Sequence, residues 1–138
     1  MSYLRFIRSL ASTYQAFEAY STKHIKGMGL TMTQFDVIAT LGNQPPMTCK
    51  ELGEKTLILK GTMTGVLERL EQKGFITKIP NAEDGRSYRI GLTKAGERLF
   101  KKAFPEHVQY LEQGFAKCST KELNQTIEAL DRIRSQFI

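Results

Sequence analysis

Arg86 and Arg89 stand three residues apart in "EDGRSYRIGLTKAGE" (83–97), directly after an Asp84-Gly85 pair that marks a tight turn. A guanidinium at a protruding turn carries a permanent charge and five donors. Phosphates and the narrow minor groove of a duplex both attract such a group. Asp84 is a poor contact for a polyanion and is read as aiming Arg86 through a salt bridge, while Arg89, on the strand that follows, reaches backbone phosphates. A second set lies upstream in "KGTMTGVLERLEQK" (60–73), where Lys60, Thr62, Thr64, Gly65, Glu68 and Arg69 fall opposite the apolar stripe of Met63, Val66, Leu67 and Leu70. Threonine hydroxyls donate to phosphates or touch base edges and thymine methyls. Lys60 neutralises a phosphate, Arg69 reaches the backbone or braces the turn, and Gly65 lets the helix come close to a groove. Thr48 at the start of the preceding helix and Ser87 beside Arg86 complete the candidate set.

The charge distribution agrees with these two sets. The chain has 138 residues and a formal charge of +6, and between Lys60 and Lys102 ten Lys and Arg stand against five Asp and Glu. Almost all of the net basicity therefore sits in one block, as expected where a polyanion is gripped. Other chemistries are not indicated: no nucleophile-and-base motif, glycine-rich phosphate loop or carboxylate cluster at metal spacing is present. Cys49 and Cys118 are too far apart in sequence to suggest a zinc site or disulfide framework, and they read as bystander thiols in a reducing cytoplasm. His24 and His107 are single histidines without partners one helical turn away, which argues against a metal. No apolar run is long enough for a signal peptide or membrane span, and the length suits one domain.

The elements that must present these residues are legible from periodicity and capping. Leu4, Ile7, Ala11, Tyr14, Phe17 and Ser21 form one narrow seam on a first helix that Gly27 and Gly29 end. In that helix Tyr14, Phe17 and Tyr20 read as packing residues that a ligand pocket can also use. Thr31 with Gln34, and Thr48 with Glu51, make two capping boxes, stapled by Leu30 with Phe35 and by Met47 with Leu52, so two short helices are expected. After "TLIL" the segment 60–73 gives a fourth helix closed by Gly74, and the pair has the layout of a helix-turn-helix. "FITKIP" and "SYRIGL" make a β-hairpin in which Tyr88, Ile90 and Leu92 point inward and Arg89 and Gly91 outward. Thr93 caps a long helix that Pro105 is expected to bend or divide, and Ser119 with Glu122 boxes a last one bearing Leu123, Ile127, Leu130 and Phe137. The terminal helices keep apolar seams that no sheet of this size can cover, which favours pairing of subunits.

This order of elements, with "KGTMTGVLERLEQKGFI" (60–76) and the Asp-x-Arg and Leu-Thr-x-x-Gly of Asp84, Arg86, Leu92, Thr93 and Gly96, resembles the MarR family of bacterial transcriptional regulators over nearly the whole chain. The resemblance implies a mainly α fold with a small β-hairpin wing, a winged helix-turn-helix lobe at 30–102 and dimerisation helices at 1–29 and 103–138, all in a single domain. It further implies a homodimeric repressor in which a wing arginine enters the minor groove of double-stranded DNA beside each recognition helix, on a pseudo-palindromic operator. Many members also bind small aromatic effectors between the dimer helices and the DNA-binding lobe. The chain departs from the family at Leu59, where a capping serine is common, and at Gly65, where arginine is common. The rival reading is a winged-helix module that binds protein, which gives no reason for the basic block on helix and wing together.

Overall fold

The computed structural model of the chain describes residues 1–80 and 87–138. Six helices and three short strands follow one another: α1 (Ser2–Gly27), α2 (Met32–Leu41), β1 (Met47–Thr48), α3 (Cys49–Thr56), α4 (Lys60–Gln72), β2 (Ile76–Pro80), β3 (Tyr88–Leu92), α5 (Lys94–Gly114) and α6 (Thr120–Arg134). The fold is mostly helical with a small antiparallel sheet, as the sequence implies.

The caps form where the residue types place them. Thr31 and Gln34 close both legs of the box at α2, and Ser119 and Glu122 do the same at α6. At α3 only one leg is regular: the Glu51 amide donates to Thr48 Oγ1, while the Glu51 carboxylate accepts from the Thr48 hydroxyl instead of its amide. Thr48 also belongs to β1, which the sequence does not announce, because a two-residue strand after Pro45-Pro46 has no periodicity to read. The sheet is accordingly three-stranded in the order β1-β3-β2, with Thr48 opposite Arg89 and Ile79 opposite Arg89 on the other side.

One apolar core joins α2, α3, α4 and the sheet. Val37, Leu52, Leu70 and Ile90 are completely buried, and Ile25 brings the end of α1 into the same cluster. Burying side chains of this size stabilises by about 1.5–3 kcal/mol each. Two sequence expectations for β3 need correction. Tyr88 is exposed, since it stands opposite Pro80 at the outer end of the hairpin, where it lies under the Lys78 ammonium at 4.9 Å. Gly91 is buried, since Pro46 and Ile79 cover it.

Pro105 does not divide α5, which runs unbroken from Lys94 to Gly114. Proline removes one amide donor there, and buried Ala103 and His107 anchor the helix on either side. Among the described residues, α6 buries none, and α1 buries only Ser21 and Ile25.

Candidate nucleic-acid interface

Helix α4 presents its polar face to solvent because its other face is filled. Met63, Val66, Leu67 and Leu70 are buried, and Lys60, Thr62, Thr64, Gly65 and Arg69 are all exposed. The helix begins at Leu59 with no side-chain cap, so the amides of Lys60 and Gly61 have no capping oxygen to donate to, while the Thr62 amide donates to the Leu59 carbonyl. A methyl group placed on Gly65 would meet nothing within 4 Å, so this part of the face is open. Lys60 and Arg69 form no ion pair among the described residues.

The strands hold the second set. Arg89 lies on the central strand between Thr48 and Ile79, which brings Thr48 and Arg89 together across β1 and β3. Ser87 precedes β3 and is half-buried. Asp84 and Arg86, with the Asp84-Gly85 turn and the salt bridge expected between Asp84 and Arg86, lie outside the described residues. The base of the hairpin is fixed to the end of α4 by Thr93, whose hydroxyl donates to the Gly74 carbonyl at 2.6 Å and accepts from the Gly96 amide at 3.1 Å. Gly74 adopts the left-handed conformation with φ of 80°, which reverses the chain from α4 into β2. Gly96 has a different reason to lack a side chain, because a Cβ there would lie 2.0 Å from the Phe75 carbonyl oxygen. The Leu-Thr-x-x-Gly run thus sets where the hairpin stands relative to α4.

Not every cation of the basic block is free. Lys73 Nζ donates to the Gly29 carbonyl at 3.1 Å and to Gln34 Oε1 at 3.2 Å, tying the end of α4 to the corner between α1 and α2. Lys78 pairs with Glu71 at 3.9 Å. Sequence reading alone cannot separate such tethers from free charges.

A cluster that sequence reasoning missed joins α1 to α5. His24 and His107, 83 residues apart, meet with Nδ1 atoms 2.9 Å apart, and His107 Nε2 lies 3.1 Å from Ser21 Oγ. Neither histidine has a partner one helical turn away, but tertiary contact pairs them with each other. Burial lowers the His107 pKa, and the neighbouring His24 lowers it further. Tyr20 and Tyr110 stack with centroids 4.2 Å apart, and each hydroxyl donates to the other's carbonyl, at 2.8 and 2.7 Å. His24 stacks on Tyr110 at 4.5 Å, and Phe35 of α2 meets His107 edge-on. Both cysteines are free: Cys49 packs against the core, and Cys118 is exposed.

Beside this cluster, a cavity of about 720 Å³ opens between α1, α2, α5 and the turn leading into α4. Tyr14, Phe17 and Phe35 supply aromatic walls, and Leu57, Leu59 and Thr62 line the side nearest α4. Leu57 occupies the left-handed region with φ of 64°, an uncommon conformation for leucine, and its side chain is 88% exposed. No described helix is long and apolar enough to cross a membrane.

Comparison with known proteins agrees with this architecture. A model described as the MarR family matches residues 30–88. An uncharacterized HTH-type transcriptional regulator of Bacillus cereus (strain ATCC 10987 / NRS 248) is 32% identical over 113 residues, covering 82% of this chain and 72% of the relative. The homoprotocatechuate degradative operon repressor of Escherichia coli is 25% identical over 130 residues, or 94% of this chain and 85% of that protein. Among solved structures, a putative MarR-like transcription regulator from Bacillus cereus ATCC 10987 superposes with a TM-score of 0.86 over 100% of this chain and 99% of that one, at 20% identity, a likeness of fold.

Proposed function

The chain belongs to the MarR family of transcriptional regulators, and from that premise we propose that it is a homodimeric repressor that binds a pseudo-palindromic operator in double-stranded DNA. The observation that carries the reading is the exposed polar face of α4 next to a hairpin whose base Thr93 and Gly96 lock to that helix. In this assignment Thr62, Thr64 and Gly65 enter the major groove, and Lys60 and Arg69 hold phosphates. Arg86, aimed by Asp84, enters the minor groove, while Thr48, Ser87 and Arg89 contact the backbone beside the sheet.

Pairing of two chains is supported by surface that one chain leaves uncovered. A folded monomer of 15.7 kDa exposes about 7,300 Å², whereas this chain exposes 10,255 Å². Leu4, Ile7, Leu10 and Tyr14 of α1 and Ile127 of α6 contribute to the excess. Two-fold pairing through these helices gives two α4 helices for two half-sites, about 10 base pairs apart.

Effector control is supported by the aromatic cavity, which shares a wall with the start of α4 at Leu59 and Thr62. A small aromatic molecule held there presses on the turn that positions the recognition helix. Genome-wide footprinting followed by gel shifts on the chain's own promoter region, at two salt concentrations, tests the reading. Discrete two-fold sites are expected, and binding without sequence preference contradicts it.

A further inference from the structure

The cavity's lining has an unusual charge pattern for a pocket expected to take an aromatic ligand. Glu18 on α1 and Asp36 on α2 both line it, and among the described residues no lysine or arginine does. Both also bear on the Tyr14 phenol, which lines the same cavity and has a raised pKa, first through desolvation, then through Glu18 and, more weakly, through the charge of Asp36. Asp36 is half-buried and makes no hydrogen bond or ion pair among the described residues. Burial raises its carboxyl pKa above the ordinary aspartate value. His107 supplies no compensating charge, because its environment favours the neutral imidazole.

We propose that the effector of this cavity is a small organic cation, an ammonium group on a flat apolar body, held by the carboxylates of Asp36 and Glu18 with Tyr14, Phe17 and Phe35 around it. The proposal rests on the effector reading above and fixes the charge of the ligand. The physical case has three parts. An ammonium placed between two carboxylates makes charge-assisted hydrogen bonds to partly desolvated acceptors, which are the stronger kind. Aromatic faces attract the same cation through their quadrupoles, with more effect where water is excluded. An aromatic carboxylate of equal size meets two like charges and no cationic partner, so the lining excludes it on the principle that repulsion sets specificity. The cavity's volume of about 720 Å³ falls in the range of pockets that hold small ligands.

The test is calorimetric titration of the full-length protein, without DNA, using three probes of similar size: benzylammonium, benzyltrimethylammonium and benzoate. Both cations are expected to bind, benzylammonium the tighter because only it donates hydrogen bonds, and benzoate is expected not to bind. Asp36→Asn, which is nearly isosteric and breaks no hydrogen bond, is expected to weaken benzylammonium by about tenfold, and Glu18→Gln by less, because Glu18 sits at the exposed rim. Tighter binding of benzoate than of either cation overturns the proposal while leaving an effector cavity in place. Cation binding that Asp36→Asn leaves unchanged overturns the assigned site. If none of the three probes binds, the cavity holds no such ligand, and the proposal falls. Because DNA is absent from the titration, none of these results bears on the DNA-binding reading, which gel shifts test separately.

Discussion

Gly65 separates two roles that a single side chain usually confounds. Inside a helix it destabilises by about 1 kcal/mol relative to alanine, and the space beside it is open, so nothing in the fold requires it. Gly65→Ala is therefore expected to raise the urea midpoint while weakening operator binding, because in the proposed docking the added methyl would stand between the helix backbone and the groove. Equal or tighter DNA binding by the stabilised variant would remove Gly65 from the interface. His107 gives a pH dependence with a defined sign. Its folded-state pKa lies below the ordinary imidazole value of 6.5, so its contribution to stability is complete above about 6.5 and is lost as pH falls from there through the depressed folded value. Thermal midpoints between pH 8 and 5 should fall with acidity in the wild type, and less steeply in His107→Gln. The histidine pair also marks where residue-level reading of sequence ends. Nothing at positions 24 and 107 suggests an encounter, because the contact depends on how α1 crosses α5 and not on local spacing.

At the scale of elements, most of the fold was legible because capping and periodicity are local. The boxes at Thr31 and Ser119, the stripe of α4 and the Thr93 cap are each set by neighbours within a turn or two of the chain. Elements defined by distant partners were not. Strand β1 exists only because β3 offers it an edge, and Gly91 is buried because Pro46 and Ile79 cover it. Of the candidate DNA-binding residues, the α4 set stands on one exposed face as the sequence pattern requires, since the same 3.6-residue period that buries Met63 and Leu67 exposes Thr62 and Thr64. Asp84 and Arg86 lie outside the described residues, and their role rests on sequence. Gly96 is the position where the joint between α4 and the hairpin can be tested. A methyl group there collides with the backbone carbonyl of Phe75, which no rotamer change relieves, so Gly96→Ala should destabilise by about 1–3 kcal/mol or more. Chemical denaturation measures this directly. Unchanged stability would mean that helix and hairpin are not fixed to each other at that point, and the common docking of both on one duplex would lose its mechanical basis.

At the scale of the whole molecule, α1 and α6 leave apolar seams exposed that the proposed pairing of two chains would cover. Removal of residues 1–20 should give unfolded or aggregated protein, and sedimentation of the full chain should return a dimer. A folded, truncated monomer that kept specific DNA binding would contradict pairing through these helices. The central claim is that α4 reads sequence while the hairpin supplies charge. It is tested most directly by equilibrium binding of wild type, Thr64→Ala and Arg86→Ala to the footprinted operator and to random duplex over a range of salt concentrations. Thr64→Ala is predicted to lower the preference for operator by about 1 kcal/mol or somewhat more with little change in salt slope. Arg86→Ala is predicted to weaken both duplexes alike and to make the salt slope shallower, with the loss largest at low salt. If Arg86→Ala leaves affinity and slope intact, the hairpin is a solvated turn. If Thr64→Ala also leaves discrimination unchanged, α4 is not the element that reads the operator.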